Sequence, residues 1–191
     1  GDPLQERLWL FNRNITDIGK SDRYFALSTI LTFGGWLLLK HKAWSETAEK
    51  KLRYAMHWGL SLLVCLITSG IVVQIIKNAS GRLRPHRAPD FSPFVFDPFI
   101  FHWDWASFPS GHSQTLFAVA TMICILFPKF YKLIFAVTFC FALTRVFSTA
   151  HFLSDVIMGS ALGFVVSMLT LRWMDRKKFV KFDQFKDTRR G

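Results

Sequence analysis

The stretch YAMHWGLSLLVCLITSGIVVQII, residues 54–76, decides the fold. It contains no Lys, Arg, Asp or Glu. It also exceeds the ~20 apolar residues a helix needs to cross the hydrocarbon core of a bilayer. Four further apolar runs flank it: Tyr24–Leu39, Ser113–Phe127, Leu133–Phe147 and Phe152–Trp173. The last is nearly as long as residues 54–76 and also exceeds ~20 residues. The other three are short, and flanking Lys, Trp and Tyr side chains can extend them by snorkelling. The pattern predicts an all-α, polytopic transmembrane helix bundle with five visible spans. A soluble all-helical protein would need more polar helix faces around so large a core.

The chain has 191 residues, enough for a single domain over 1–191. Hydrophobic residues make up 51% and aromatics 16%, yet the formal net charge is +11. Charge placement explains the combination. Lys40, Lys42, Lys50, Lys51 and Arg53 lie between the first two runs. Lys129 and Lys132 lie between the third and fourth. Arg172, Arg176, Lys177, Lys178, Lys181, Lys186, Arg189 and Arg190 follow the fifth. If the spans alternate, most of the 24 cations fall on one side. Short loops rich in Lys and Arg face the cytoplasm, so residues 174–191 form a basic cytoplasmic tail. The positive charge then reports topology and attraction to anionic lipid, and no nucleic-acid partner is expected.

This orientation puts residues 1–23 outside, which calls for an upstream transmembrane helix or a cleaved leader; the upstream helix is the favoured reading. In residues 1–21, Leu4, Leu8, Phe11, Ile15 and Ile18 recur every three or four positions. They predict an amphipathic segment lying in the interface, with an ordinary surface helix as the alternative. Cys65, Cys124 and Cys140 all fall inside apolar runs and read as small buried hydrophobes.

Chemistry-bearing residues collect on the outer side. The second run ends in Lys77, followed by Arg82, Arg84 and Arg87. The third opens with Ser110, Gly111 and His112. The fourth ends at Arg145, and His151 and Asp155 open the fifth. Ionisable groups at the mouth of a membrane bundle point to function. His151 and Asp155 are four apart and share a helical face, so a carboxylate can hold one ring nitrogen as N–H and free the other. Arg145 is off that face on a continuous helix, but a turn at Ser148–Ala150 would return it towards His151. Pro109 suits the first turn of a helix. The free backbone N–H groups behind it, with no side chain at Gly111, can approach an anion closely. Lys77, Arg84 and Arg145 complete a cage for a dianion. The residues alone also admit an anion-binding or transport protein, which leaves two histidines and an aspartate at these spacings unexplained.

Three blocks then occur in order: KNASGRLRP (77–85), PSGH (109–112) and RVFSTAHFLSD (145–155). Together they resemble the type 2 phosphatidic acid phosphatase (PAP2) superfamily over roughly residues 54–173. The departure is Thr144 where many relatives carry Ser before the Arg, and the hydroxyl is kept. The resemblance implies metal-independent hydrolysis of a lipid phosphate monoester or diphosphate, with no cofactor. His151 would be the nucleophile and form a phosphohistidine, Asp155 would orient it, and His112 would be the general acid. Lys77, Arg84, Arg145, Ser110 and Gly111 would bind the phosphoryl oxygens. Arg82 and Arg87 lie outside the signature and read as solvated or lipid-snorkelling, with a grip on a second phosphate or a headgroup as the alternative. The family's membrane members usually have six spans, in keeping with an upstream helix. The implied setting is a bacterial-type inner membrane with the site facing the periplasm. Undecaprenyl diphosphate, phosphatidylglycerophosphate, phosphatidic acid and lipid A phosphates all remain candidate substrates. A lipid phosphotransferase with the same residues is the alternative activity.

Overall fold

The computed structural model describes residues 17–41 and 44–179. Most of the amphipathic segment at 1–21 and the tail beyond 179 lie outside the described residues. A 3-10 turn, Asp17–Gly19, leads into α1 (Ser21–Thr29), a π turn (Ile30–Gly34) and α2 (Gly35–His41). The junction residues Ile30 and Gly35 keep right-handed helical dihedrals, so these pieces form one continuous rod. Four more helices follow: α3 (Glu46–Ser80), α4 (Gly111–Leu126), α5 (Tyr131–Phe147) and α6 (Leu153–Arg176). The five rods coincide with the five apolar runs. Among the described residues, three segments are long and apolar enough to cross a membrane: Glu46–Ser80, Pro128–Phe147 and Leu153–Arg176. Gly111–Leu126 is apolar but shorter. Among the described residues there is no β-strand, only an isolated bridge between Arg82 and Phe96.

Local chemistry sets the ends of α3. Ser45 caps it by accepting the Ala48 N–H, and Glu46 and Glu49 sit at the positive end of its dipole. The helix stops at Gly81, whose φ of 54° is left-handed. A side chain there would also collide with the Asp97 carbonyl, so glycine is required twice over.

α3, α4 and α6 form the core. Leu62, Cys65 and Leu66 of α3 meet Ala118, Val119 and Met122 of α4 and Leu171 of α6. α6 comes closest to α4 at Gly159 and Gly163, where a Cβ would run into the Ser110 and Gln114 carbonyls. Small residues permit this approach where lipid offers no hydrophobic drive to helix association. Polar pairs tie the same three helices together. Gln114 Nε2 donates to Ser69 Oγ at 2.6 Å, and the Thr68 and Thr170 hydroxyls meet at 2.9 Å. α5 is peripheral and buries only Ala142. On α3, Ile67, Ile71 and Ile75 form an exposed stripe at four-residue spacing, the side a bilayer would wet.

One local expectation changes. Pro109 is not in the first turn of α4. It precedes the cap residue, Ser110, and the helix begins at Gly111. Ser110 takes the capping position because its Oγ accepts the Ser113 N–H, which a proline cannot do.

Candidate functional site

The site is built where α3, α4, α5 and α6 end on one side of the bundle. Lys77, in the last turn of α3, points its amine at the 106–110 segment. Its Nζ donates to the Ala106 carbonyl at 2.7 Å and the Pro109 carbonyl at 2.8 Å. An ammonium has three donors, so one remains for a ligand. The same contacts pin the entrance of α4 to the exit of α3.

Arg84 is buried in the extended segment after α3. Its Nε donates to the Trp103 carbonyl at 3.0 Å and its Nη1 to the Ala150 carbonyl at 3.2 Å. The guanidinium lies 3.9 Å from the centre of the Trp103 ring. Burial, followed by the charge of Arg145, lowers Arg84 to about 10, so it remains cationic at neutral pH. Arg145 closes α5. Its Nε is buried with no hydrogen-bond partner among the described residues. The chain after it turns sharply through Thr149, φ 51°, and the Ala150 and His151 N–H groups both return to the Arg145 carbonyl at 3.2 Å. That turn brings Arg145 and His151 to the same place.

His151 is almost fully buried. Its Nδ1 lies 2.7 Å from the Ser107 carbonyl. A carbonyl can only accept, so Nδ1 carries the hydrogen and Nε2 keeps its lone pair. Asp155 was expected to orient this ring directly. Its Oδ2 is 3.6 Å from Nδ1, beyond hydrogen-bond reach, although its charge still acts on the ring. The carboxylate instead organises the backbone that holds the ring. Oδ2 accepts from Ser107 Oγ at 2.6 Å and from the Phe152 N–H at 2.8 Å. Burial lowers His151 to about 4; Asp155 opposes this, and Lys77, Arg84 and Arg145 reinforce it. Three cations therefore converge on a neutral imidazole.

The reading of Arg82 as solvated or lipid-snorkelling does not hold. It is 5% exposed. Its Nη1 donates to Asp155 Oδ1 at 2.5 Å and to Ser154 Oγ at 2.8 Å, and its guanidinium stacks 4.3 Å from the Phe152 ring centre. A fully buried carboxylate needs such a partner. The sequence held one clue: Arg82 and Arg84 alternate in an extended segment, which turns both to the same side. Ser107 left no signal, since its carbonyl is its main contribution. Arg87 behaves as expected, 61% exposed at the side chain and 3.5 Å from Asp104.

Ser110 spends its groups on the scaffold. Its N–H donates to the Asp155 carbonyl at 3.0 Å, and its Oγ caps α4 and accepts from Ser113 Oγ. The N–H groups of Gly111 and His112, at the start of α4, have no intrahelical partner. A Cβ on Gly111 would meet nothing within 4 Å, so open space lies beside this helix end. The His112 ring packs against Gly19 of the preceding 3-10 turn. His112 and Lys77 also line a cleft of about 710 Å³ that runs between α1, α3 and α4 past Phe25, Leu66, Ile67 and Ile71. Ile67 and Ile71 belong to the exposed stripe of α3, so the cleft is open from the side of the bundle. Among the described residues, no three His, Cys, Asp or Glu side chains are gathered as metal ligands. The arrangement can bind a dianion, present an unprotonated imidazole nitrogen to it, and offer a second imidazole on the cleft side.

Comparison with known proteins shows the family. The sequence model of the PAP2 superfamily matches residues 58–179. Lipid A 1-phosphatase of Rhizobium etli is 36% identical over 161 residues, covering 82% of this chain and 67% of that protein. The chain thus spans about two thirds of that relative's length. Phosphatidylglycerophosphatase B of Bacillus subtilis is 27% identical over 166 residues, covering 81% and 70%. Among solved structures, Aquifex aeolicus LpxE superposes with a TM-score of 0.60 at 19% identity, covering 90% of this chain and 88% of that one. A transmembrane PAP2-type phosphatidylglycerolphosphate phosphatase from Bacillus subtilis superposes with a TM-score of 0.57 at 22% identity, covering 92% and 79%.

Proposed function

From the premise that the chain belongs to the PAP2 superfamily and is an integral-membrane lipid phosphatase, we propose that it hydrolyses a lipid phosphate through a phosphohistidine on His151. His151 Nε2 attacks phosphorus as the bond from phosphorus to the lipid oxygen breaks. His112, on the cleft side, is protonated as the bound dianion offsets the neighbouring cations, and it gives that proton to the departing oxygen. In the second half His112 takes a proton from water, whose oxygen attacks the phosphohistidine and frees inorganic phosphate. Lys77, Arg84, Arg145 and the amides of Gly111 and His112 stabilise the charge on the transferring group. Ser107 fixes the ring tautomer. Asp155 and Arg82 hold Ser107 and the start of α6 in place.

The observation that carries this reading is the commitment of His151 Nδ1 to the Ser107 carbonyl, which leaves Nε2 free among three cations. The apolar cleft reaching His112 and Lys77 supports a leaving group with acyl tails, admitted from the bilayer. The 1-phosphate of lipid A is the favoured substrate, because lipid A 1-phosphatases are among the most similar relatives. Phosphatidylglycerophosphate ranks second, ahead of phosphatidic acid and undecaprenyl diphosphate. The test is phosphate release by purified protein in detergent, in excess EDTA and without an added acceptor lipid. Lipid A 1-phosphate should be turned over fastest. Release only with an acceptor would mean phosphotransfer, and activity restored by added zinc or magnesium would overturn the metal-independent mechanism.

The five rods are taken as five crossings, with the site on the outer face of a bacterial inner membrane and the Lys-rich connections in the cytoplasm. In intact spheroplasts Arg87→Cys should react with a membrane-impermeant maleimide and Thr47→Cys should not. The reverse pattern would place the site inside.

A further inference from the structure

Residues 91–103 read FSPFVFDPFIFHW. Six aromatic side chains here, Phe91, Phe94, Phe96, Phe99, Phe101 and Trp103, are between 48% and 84% exposed. Asp97 is the only Asp, Glu, Lys or Arg among these residues. A loop facing water is ordinarily polar, and an apolar patch of this kind marks a contact surface.

The backbone fixes the height of this loop in the membrane. Leu83 N–H donates to the Val95 carbonyl at 3.0 Å, Asp97 N–H to the Gly81 carbonyl at 2.7 Å, and Phe99 N–H to the Asn78 carbonyl at 2.9 Å. Residues 95–99 are therefore laid against the end of α3. The uncharged stretch 54–76 of α3 spans roughly 34 Å at 1.5 Å per residue, close to the hydrocarbon thickness of ~30 Å. Asn78, and with it Phe99, falls at the edge of the hydrocarbon. The exposed stripe of Ile67, Ile71 and Ile75 ends less than one turn below Asn78, so the lipid-wetted face of α3 runs on into the loop. On the other flank Arg82 lies over both the Phe96 and Phe152 rings, 5.5 and 4.3 Å from their centres. Phe152 caps the start of α6. The loop is thus level with the mouths of two helices.

We propose that the edge formed by Phe91, Phe94, Phe96, Phe99 and Phe101 is embedded in the lipid leaflet that the site faces, at the boundary between headgroups and acyl chains. The occupant of this surface is the bilayer itself. Rigid aromatic rings are suited to that boundary, where one side is apolar and the other wet. The same loop supplies Trp103, whose ring covers Arg84. Embedding the loop sets the phosphate cage at the depth of the headgroup phosphates, so a lipid reaches it by moving sideways within the leaflet.

The experiment uses the full chain in vesicles of phosphatidylethanolamine and phosphatidylglycerol. Cys65, Cys124 and Cys140 are replaced by Ala, and Phe94→Cys or Phe101→Cys carries a nitrobenzoxadiazole label. Nitroxide groups at acyl carbon 5 should quench the label, and aqueous iodide should leave it unchanged. Quenching by iodide would place the loop in water. Protection from both quenchers would mean that a protein surface covers it, a second copy or another partner. Either result overturns the proposal, and neither depends on which lipid is the substrate. Should the labelled variants fail to fold, the double change Phe94→Asp with Phe101→Asp in the unlabelled protein decides. KM for a vesicle-embedded substrate should rise about tenfold while kcat/KM for a water-soluble phosphate ester stays within twofold. Equal loss on both substrates, or on neither, counts against the proposal.

Discussion

Behind the His151 ring, charge is paired by contact; in front of it, charge is balanced only at a distance. On the rear side Asp155 is buried and bound by Arg82, Ser107 and the Phe152 N–H. On the front side Lys77 and Arg84 are bonded to backbone carbonyls, and among the described residues the Nε of Arg145, like that of Arg82 behind the ring, has no hydrogen-bond partner. Asp17, Asp104 and Asp155 act on Arg145 and Arg84 through space. Arg82 and Asp155 neutralise each other by contact, whereas under the proposed function the front cations await the anion of the substrate. Stability should therefore be concentrated behind the ring and catalysis in front of it.

The largest effect should come from breaking the rear half. Asp155→Ala leaves Arg82 as an unpaired buried cation, a change that costs about 3–5 kcal/mol. Thermal unfolding in detergent should drop markedly, and activity should be lost with it. Restoring apolar complementarity with Asp155→Ala plus Arg82→Met should recover much of the stability and none of the activity. If Asp155→Ala alone unfolds like the parent, the rear half is not a closed unit.

The front half should give the opposite pattern. Arg145→Gln removes one of three cations gathered around a dianion site, and loss of one such donor lowers kcat by ~10²–10³-fold. Its unfolding temperature should be unchanged or raised, since mutual repulsion in the empty site is relieved. A fall in stability comparable to that of Asp155→Ala would erase the distinction between the halves.

A smaller effect concerns pH. His151 lies at about 4, held down first by burial, against an ordinary value near 6.5. The folded chain therefore binds fewer protons than the unfolded chain between these values. The contribution of His151 to stability is fully present above ~6.5 and is lost as pH falls towards 4. Its Nε2 stays unprotonated over the same range, so the acid limb of kcat/KM should fall near pH 4. A limb near 6.5 that persists after the second ionisation of the substrate phosphate, at ~6, is accounted for would mean that the ring is solvated.

The front half could be read from the sequence, and of the rear half only Asp155. Lys77, Arg84, His112, Arg145, His151 and Asp155 all stand at or just beyond the ends of apolar runs, where ionisable side chains draw attention. The five rods were legible because each coincides with a long apolar run, and three of them lie in segments long enough to cross a membrane among the described residues. The π turn in the first rod was not, since it does not alter the apolar pattern. Arg82 was misread because an arginine beside a membrane is ordinarily solvated, and only the fold brings a buried carboxylate to it. The partner of His151 was invisible because a backbone carbonyl carries no sequence signature. Pro109 lies two positions before the first helical residue: proline and serine both mark helix starts, and only the Ser110 hydroxyl could take the Ser113 N–H.

The most direct test of the central claim is to trap the intermediate. The protein is mixed with lipid A labelled with ³²P at its 1-phosphate and quenched within the first turnover. The account predicts label on the protein that resists alkali, is released by acid, and maps to the peptide carrying His151. The label should be absent from His151→Ala, whose turnover should fall by at least ~10³-fold while its fold is kept. Phosphate release at the parental rate by His151→Ala, or label on any other residue, would contradict the account.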